Sequence, residues 1–221
     1  MLNEADQRSR LKLVADAAAS EGCLVAPVGS VYFLLKGTGR QYTKDIDAVI
    51  HEASLEPAGS GVLRRIAERL GTAEVTVDEA VFNIRTESGL ERPDIELIRG
   101  RSATKGGFFP RELLVKAARR ARREGNVLIY PIEAVLVLKA DAAIDREERA
   151  ERDVARSVRH RERAAVFRAD VFQEVNRALL AEGLRAELLL ESLQLLKEKR
   201  RGRVHGLLAE AGAPLRQGSS E

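Results

Sequence analysis

Residues 29–47 read GSVYFLLKGTGRQYTKDID, and this stretch carries more information about the fold than any other part of the chain. It opens with a Gly-Ser pair, continues through a short apolar segment and ends at two aspartates. In a strand, Asp45 and Asp47 project from the same face, while Ile46 and Ala48 turn inward. Two neighbouring carboxylates repel each other unless a cation neutralises them. The pattern therefore predicts a site for a hard divalent ion, Mg²⁺ or Mn²⁺.

The Gly-Ser pair predicts the second half of the same site. Gly29 has no Cβ, so another group can approach its backbone closely, and Ser30 offers a hydroxyl beside the first amides of a helix. Exposed amides at a helix N-terminus attract phosphate. Phosphate on one side and a metal-binding carboxylate pair on the other outline a site for a nucleoside triphosphate (NTP).

This arrangement resembles the nucleotidyltransferase superfamily typified by DNA polymerase beta, whose signature is Gly-Gly or Gly-Ser, a helix, and Asp-x-Asp on a strand. Residues 40–47, RQYTKDID, resemble the Arg-x-x-Thr-x-Asp-Ile-Asp variant of small bacterial and archaeal members, including the nucleotidyltransferase toxins. The spacing from Ser30 to Asp45 is longer than in the family, because residues 37–39, Gly-Thr-Gly, widen the turn. The resemblance implies Mg²⁺-dependent transfer of a nucleoside monophosphate from an NTP to a hydroxyl acceptor, with release of pyrophosphate.

The resemblance also implies roles for individual residues. Asp45 and Asp47 would bind the metal ions. A second group would bind the nucleotide, through its phosphates or through charge that offsets the transition state: Gly29, Ser30, Arg40, Thr43 and Lys139.

A third catalytic carboxylate is expected on a later strand, residues 94–98, DIELI. Asp94 and Glu96 share one face of this strand, with Ile95 and Leu97 on the other. Either acid can meet Asp45 and Asp47 across the sheet. Asp94 is favoured as the third metal ligand because aspartate is commoner there in the family. The alternative is that both are exposed acids on an edge strand.

A second stretch, residues 130–140 (YPIEAVLVLKA), also resembles the toxin-like branch. Pro131 suits the first turn of a helix. A lone ammonium on an apolar helix is costly unless it meets an anion, so Lys139 is expected to reach the triphosphate or, alternatively, to extend to the surface. The residues in places comparable to the family pattern are Glu133, Lys139, Arg146 and Asp153.

Composition sets limits on the class of protein. The chain has 221 residues, of which 44% are hydrophobic and 32% charged, and its formal net charge is +3. These values are typical of a soluble globular protein and do not indicate a globally basic nucleic-acid binder. Cys23 is the single cysteine, so no intramolecular disulfide can form. No apolar stretch reaches membrane-spanning length, so we expect a cytoplasmic protein with no membrane partner.

Hydrophobic periodicity predicts an α+β fold: a small mixed-sheet nucleotidyltransferase domain at residues 1–110, a mainly helical domain at 111–213 and a disordered tail at 214–221. The nucleotide would lie between the two domains. His51, at the end of its strand, is expected to face water. Predicted strands are 23–27, 45–51, 74–77, 81–86, 94–98 and 127–130. Predicted helices are 3–21, 30–36, 62–70, one from residue 111, one from residue 131, and two long helices over 163–211.

Two surfaces suggest partners. The helix from Arg111 is locally basic, so it either contacts an RNA backbone, for example that of a tRNA, or is simply a solvated face. In the C-terminal region, Leu188, Leu193 and Leu196 form a stripe that is either core or the seam of a homodimer.

Two other functions remain open. The first is a catalytically inactive nucleotide- or RNA-binding protein on the same fold, without a working third carboxylate. The second is a helical interaction protein that dimerises through its leucine stripe and has no affinity for NTP.

Overall fold

The computed structural model describes residues 4–41, 43, 45–70, 74–77, 81–86, 94–98, 100–101, 109–152 and 157–215. The chain divides into two compact units, Met1–Pro131 and Ile132–Glu221.

The first unit combines a mixed sheet with four helices. Its helices are α1 (Glu4–Ala19), α2 (Gly29–Leu35), α3 (Ser60–Arg69) and α4 (Arg111–Arg119). Its strands are β1 (Leu24–Val28), β2 (Ile46–His51), β3 (Glu74–Val77), β4 (Val81–Arg85), β5 (Ile95–Ile98), β6 (Gly100–Arg101), β7 (Phe109–Pro110), β8 (Arg122–Glu124) and β9 (Val127–Ile129).

Seven strands form the main sheet in the order β3-β4-β5-β2-β1-β9-β8, and β6 pairs with β7 in a separate two-stranded sheet. Strand β2 lies in the middle, antiparallel to β1 and parallel to β5. The β3-β4-β5 and β8-β9 pairs are antiparallel, whereas β1 and β9 are parallel. This central position gives Asp47 a paired neighbour on each side, Val28 on β1 and Glu96 on β5.

One hydrophobic core cluster of this unit lies on one face of the sheet. Ile46, Ala48 and Ile50 of β2 are buried there, together with Ile95 and Leu97 of β5. The helices that cover this face contribute Leu11, Val14, Ala15 and Ala18 from α1, Val31 from α2, and Leu63, Ile66 and Ala67 from α3. The period of two along β2 and β5 therefore directs their polar residues to the opposite face.

The second unit consists of α5 (Ile132–Arg152), α6 (Ser157–Ala181), α7 (Ala186–Gln194) and α8 (Glu198–Glu210). Helix α5 is buried around its whole circumference from Ile132 to Ile144 and contacts α6, α7 and α8. A helix that is apolar on every side is expected at the centre of a bundle, as α5 is here.

Charged residues connect the last helix to this central one. Arg200 of α8 lies 3.2 Å from Asp145 and 3.1 Å from Glu148, both on α5. Arg203, on the same face of α8, lies within 3.4 Å of Glu147 and Glu148. The basic residues near the end of the chain therefore include two that hold α8 against α5.

The α+β class, with a mixed sheet followed by a helical region, is confirmed. The C-terminal region has three helices after α5 rather than the two predicted, because Leu195 ends α7 before α8 begins. Residues 122–124 form strand β8 instead of continuing α4. Since β8 and β9 belong to the main sheet, the first unit extends to Pro131, beyond the predicted boundary at 110. Of the predicted tail, residues 216–221 lie outside the described residues.

The leucine stripe is part of the interior of the second unit. Leu193 and Leu196 are 1% and 2% exposed, and Leu188 is half-buried. This burial within one chain favours the alternative that the stripe is core. A homodimer through the C-terminal helices stays a prediction, and the buried leucines do not support it. Across the described ranges, no helix has both the length and the apolar character needed to cross a bilayer.

Candidate functional site

Two carboxylates stand side by side on neighbouring strands of the first unit. Asp47 of β2 is in register with Glu96 of β5, and Glu96 is in register with Asn83 of β4. Residues in register on paired strands lie about 5 Å apart and share a face. All three side chains are half-buried. Asp45 lies in a bend directly before β2 and is also half-buried. We call Asp45, Asp47 and Glu96 the acidic face.

Gly29 lies directly against Asp47. It opens α2 with φ +61°, and a Cβ built on it would lie 2.2 Å from the Asp47 carboxylate oxygen Oδ2. Its neighbour Val28 is in register with Asp47 across the β1–β2 pair. Only glycine leaves room for the carboxylate and adopts this backbone conformation without strain. The glycine of the Gly-Ser pair and the second aspartate of the motif are thus brought together.

Asp94 is held by other groups. It is 4% exposed, and its carboxylate forms an ion pair with Arg10 of α1. It also accepts a hydrogen bond from the Thr86 hydroxyl and one of 2.8 Å from the Thr86 backbone N–H. The alternative that Asp94 and Glu96 are both exposed acids on an edge strand is wrong, since β5 lies between β4 and β2.

The approach to β2 is fixed by hydrogen bonds to the backbone of Asp45. The buried Thr43 hydroxyl donates to the Asp45 carbonyl over 3.4 Å, and Gln7 Nε2 of α1 donates to the same carbonyl over 3.5 Å. The Ile46 N–H donates to the Asp94 carbonyl over 3.0 Å. Thr43 is 4% exposed, so its side chain supports the backbone that presents Asp45.

The other predicted phosphate ligands of this unit, Ser30 and Arg40, are both half-buried. Ser30 lies in the first turn of α2, whose N-cap residue, Val28, makes no side-chain capping bond. Arg40 follows the Gly-Thr-Gly turn, where Gly37 and Gly39 have positive φ. This turn separates α2 from β2 as the longer spacing predicts.

Lys139 lies in the second unit and is paired there. Its side chain is 7% exposed, and Nζ lies 2.7 Å from Asp170 Oδ2 of α6. The alternative that Lys139 extends to the surface is wrong, because an anion inside the unit compensates the buried ammonium. A role at the triphosphate stays a prediction. Three other positions resemble the family pattern. The Glu133 carboxylate accepts hydrogen bonds from the backbone N–H and the Nε of Arg185. The Arg146 guanidinium stacks on the Phe167 ring, and Asp153 lies outside the described residues.

His51, at the far end of β2, is fully buried, so the expectation that it faces water is wrong. Its Nδ1 donates to the Leu55 carbonyl over 2.8 Å, and its Nε2 accepts from the Tyr130 hydroxyl. The Tyr130 carbonyl in turn accepts from the Tyr32 hydroxyl over 2.8 Å. Burial lowers the pKa of His51 and raises that of Tyr130 well above its ordinary value.

The acidic face offers donor groups for a metal ion. Carboxylate oxygens on the acidic face are the donors that Mg²⁺ and Mn²⁺ prefer. Among the described residues, however, no group of three or more His, Cys, Asp or Glu side chains is placed to hold a metal ion. The donor chemistry of the acidic face fits a divalent cation, and a preformed three-ligand site is not part of the described structure.

Sequence reasoning missed the residues that surround Asp94 and Asp45. Arg10 and Gln7 lie on α1, and Thr86 follows β4. Arg10 looks like one of many surface charges on an amphipathic helix, and it lies 84 residues from its partner. Only the buried position of Gln7 carried a signal, since it falls on the apolar stripe of α1, four residues before Leu11.

Comparison of the chain with protein-family models, with curated protein sequences and with solved structures gave no match.

Proposed function

We propose that this protein is a divalent-metal-dependent nucleotidyltransferase that moves a nucleoside monophosphate from an NTP to a hydroxyl acceptor. The observation that carries the proposal is the contact of Gly29 with the Asp47 carboxylate while Asp47 is in register with Glu96. This arrangement requires a glycine at positive φ against one carboxylate and a second carboxylate on the next strand. A solvated strand face would not need it.

Glu96 is the better candidate for the third carboxylate. It is half-buried and adjacent to Asp47, whereas the Asp94 carboxylate is buried with Arg10 and Thr86. A carboxylate that already has a cation and two donors gains less from a metal than one on an open face. We therefore assign Asp45, Asp47 and Glu96 to metal binding and chemistry, and Asp94 to positioning of β5.

The reaction follows from these groups. A bound divalent ion would neutralise the triphosphate and lower the pKa of the attacking hydroxyl. The hydroxyl oxygen forms a bond to the α-phosphorus, the bond from that phosphorus to the bridging oxygen breaks, and pyrophosphate leaves. Glu96 accepts the hydroxyl proton. The α2 amides beside Gly29 and Ser30, with Arg40, would hold phosphate oxygens, and Thr43 keeps Asp45 in place.

The first test measures transfer directly. Each NTP, labelled at the α-phosphate, is incubated with the protein, Mg²⁺ and a cell extract, and label on RNA, protein or small molecules is counted. Asp47→Asn should lower transfer by about a hundredfold or more, because a neutral amide cannot stabilise the metal and the developing charge. Glu96→Gln should have a comparable effect, and Asp45→Asn likewise.

The matched control is Asp16→Asn, which removes an exposed carboxylate on α1. It should leave transfer unchanged, and all variants should keep near-native circular dichroism. Thermal shift with Mg²⁺ provides a second measurement, since an ion that binds only the folded protein raises Tm in the parent and not in Asp47→Asn. Full transfer by Asp47→Asn would refute the proposal.

A second candidate function is a nucleotide- or RNA-binding protein that does not catalyse transfer. It is favoured by the absence, among the described residues, of three acidic, histidine or cysteine side chains grouped around one point. NTP binding that depends on Asp47, with no transfer to any acceptor, would identify it.

A further inference from the structure

One row of polar side chains crosses the main sheet of the first unit. Asp47 on β2 is in register with Glu96 on β5, and Glu96 is in register with Asn83 on β4. Asn83 is in turn in register with Thr76 on β3, the edge strand of the sheet. We call these four residues the polar row. It begins at two carboxylates of the acidic face and ends in two neutral groups.

The polar row is a local feature of this face of the sheet. Two residues away along the same three inner strands, the face carries Val49, Ile98 and Val81, which are at most 7% exposed. Asn83 is half-buried, and its two neighbours along β4 belong to the core. Asparagine is depleted in strands, and a buried amide is costly without hydrogen bonds. A generally solvated strand face therefore does not explain the amide at this position.

The Asn83 amide is available to a ligand. Its side chain forms no hydrogen bond with any residue in the part of the chain that the structure describes. The amide offers two donors on its nitrogen and an acceptor on its oxygen. In-register residues of neighbouring strands are about 5 Å apart, so one small substrate can contact both Glu96 and Asn83.

We propose that Asn83 binds the acceptor, and that the acceptor is a sugar whose attacking hydroxyl has a second hydroxyl on the adjacent carbon. This inference rests on the proposed transfer reaction. Gly29 lies on the β1 side of Asp47, where that reaction has the triphosphate. Glu96, which accepts the hydroxyl proton, lies on the other side of Asp47. The acceptor therefore enters from the β4 side, next to Asn83.

A vicinal diol fits the pair of side chains formed by Glu96 and Asn83. One hydroxyl gives its proton to Glu96 while its oxygen forms the bond to the α-phosphorus. The second hydroxyl stays intact and accepts a hydrogen bond from the Asn83 amide nitrogen. A neutral amide suits an uncharged hydroxyl, whereas the carboxylates of the polar row repel a phosphate at this position. A site built to bind a hydroxyl disfavours an analogue that lacks it, because the amide is then left unpaired.

The test compares acceptors that differ by one hydroxyl. The first pair is a short RNA with an ordinary 3′-terminal ribose and the same RNA with a 2′-deoxyribose at its last position. The second pair is methyl riboside and its 2-deoxy analogue, which distinguishes a polymer end from a free sugar as the source of the diol. Transfer from α-labelled NTP is followed against acceptor concentration for the parent, Asn83→Leu and Thr76→Val.

For the pair that serves as acceptor, the parent should have a KM about tenfold lower with the diol than with the deoxy compound, the effect of one hydrogen bond. Asn83→Leu should raise the KM for the diol about tenfold and leave the KM for the deoxy compound and kcat unchanged. This non-additivity is specific, because a shifted strand would affect both acceptors alike. Thr76→Val is the matched control: it lies one strand further, about 10 Å from Glu96, and should behave as the parent.

Binding without transfer separates this inference from the proposed function. Anisotropy of the two RNAs carrying a fluorophore, with Mg²⁺ and a non-hydrolysable NTP analogue, measures acceptor affinity, and competition by the two ribosides extends it to the free sugar. A diol preference that Asn83→Leu loses, in a parent that transfers nothing, would contradict the proposed function alone. Transfer that requires Asp47 but uses both members of a pair equally, or a diol preference that Asn83→Leu retains, would overturn this inference alone. Absence of both transfer and diol binding would overturn both. Circular dichroism and Tm establish that the variants are folded, and the preference of the parent is measured without any variant.

Discussion

Single atoms decide how the acidic face is built. Asp47 can lie against the start of α2 only because residue 29 has no Cβ, and the positive φ of Gly29 places its backbone there. A strand residue and a helix-initiating residue are therefore coupled by steric exclusion as well as by sequence proximity. The glycine that looked like a phosphate-loop residue in the sequence has a second, structural reason to be there.

Gly29→Ala tests this coupling. The substitution costs about 1 kcal/mol for the left-handed backbone alone, and the new methyl group must also displace the Asp47 carboxylate. We expect a lowered Tm and loss of transfer. Gly59→Ala is the matched control, since a Cβ at Gly59 meets nothing within 4 Å and its φ is −73°. If Gly29→Ala kept the activity and Tm of the parent, the close approach of Gly29 to Asp47 would not be needed for stability or for transfer.

At the level of elements, Asp94 connects three parts of the first unit. Its carboxylate forms an ion pair with Arg10 of α1 and accepts hydrogen bonds from Thr86, which follows β4. Its backbone carbonyl accepts a hydrogen bond from the N–H of Ile46 at the start of β2. This network sets the register at which β5 meets β2. The register in turn places Glu96, and not Asp94, beside Asp47.

Asp94→Asn should therefore affect stability more than chemistry. The neutral side chain weakens the hydrogen bonds from Arg10 and Thr86 and leaves Arg10 without its anion, at a cost of about 2 kcal/mol. Chemical denaturation measures this loss, with Asp16→Asn as the exposed control. If residual transfer scales with the folded fraction, Asp94 is a positioning residue; abolished transfer in a fully folded variant would instead make it a metal ligand.

On the scale of the whole first unit, buried polar groups make stability depend on pH. His51 is enclosed between the Leu55 carbonyl and the Tyr130 hydroxyl, and burial lowers its pKa. The folded protein therefore keeps His51 neutral at a pH where the unfolded chain already binds a proton. The resulting stability is fully present above the unfolded pKa of about 6.5 and is lost as pH falls below it.

We expect the free energy of unfolding to fall by up to about 1.4 kcal/mol per pH unit for this one group, between about pH 6.5 and the lower pKa of folded His51. His51→Asn, which can still donate to Leu55, should flatten this part of the profile. His205→Asn, at an exposed histidine of α8, should leave it unchanged. Urea unfolding at a series of pH values provides the measurement, and an identical profile for His51→Asn would contradict the assignment.

Local chemistry in the sequence was sufficient for much of the architecture. The period of two identified β2 and β5 and placed Asp47 on the face opposite Ile46, and Glu96 on the face opposite Ile95, because alternation is a property of any strand. Glycines and apolar spacing located α1, α2 and α3. These inferences needed only neighbours within a few residues, which is why they agree with the structure.

Contacts between distant segments decided the rest. Strand register places Glu96 beside Asp47. Arg10 forms an ion pair with Asp94, 84 residues away along the chain, and Lys139 forms one with Asp170. The same holds for the burial of His51 against Tyr130. A pattern along the chain states which face a side chain takes, but its partner depends on which segments pack together, and only the tertiary structure determines that.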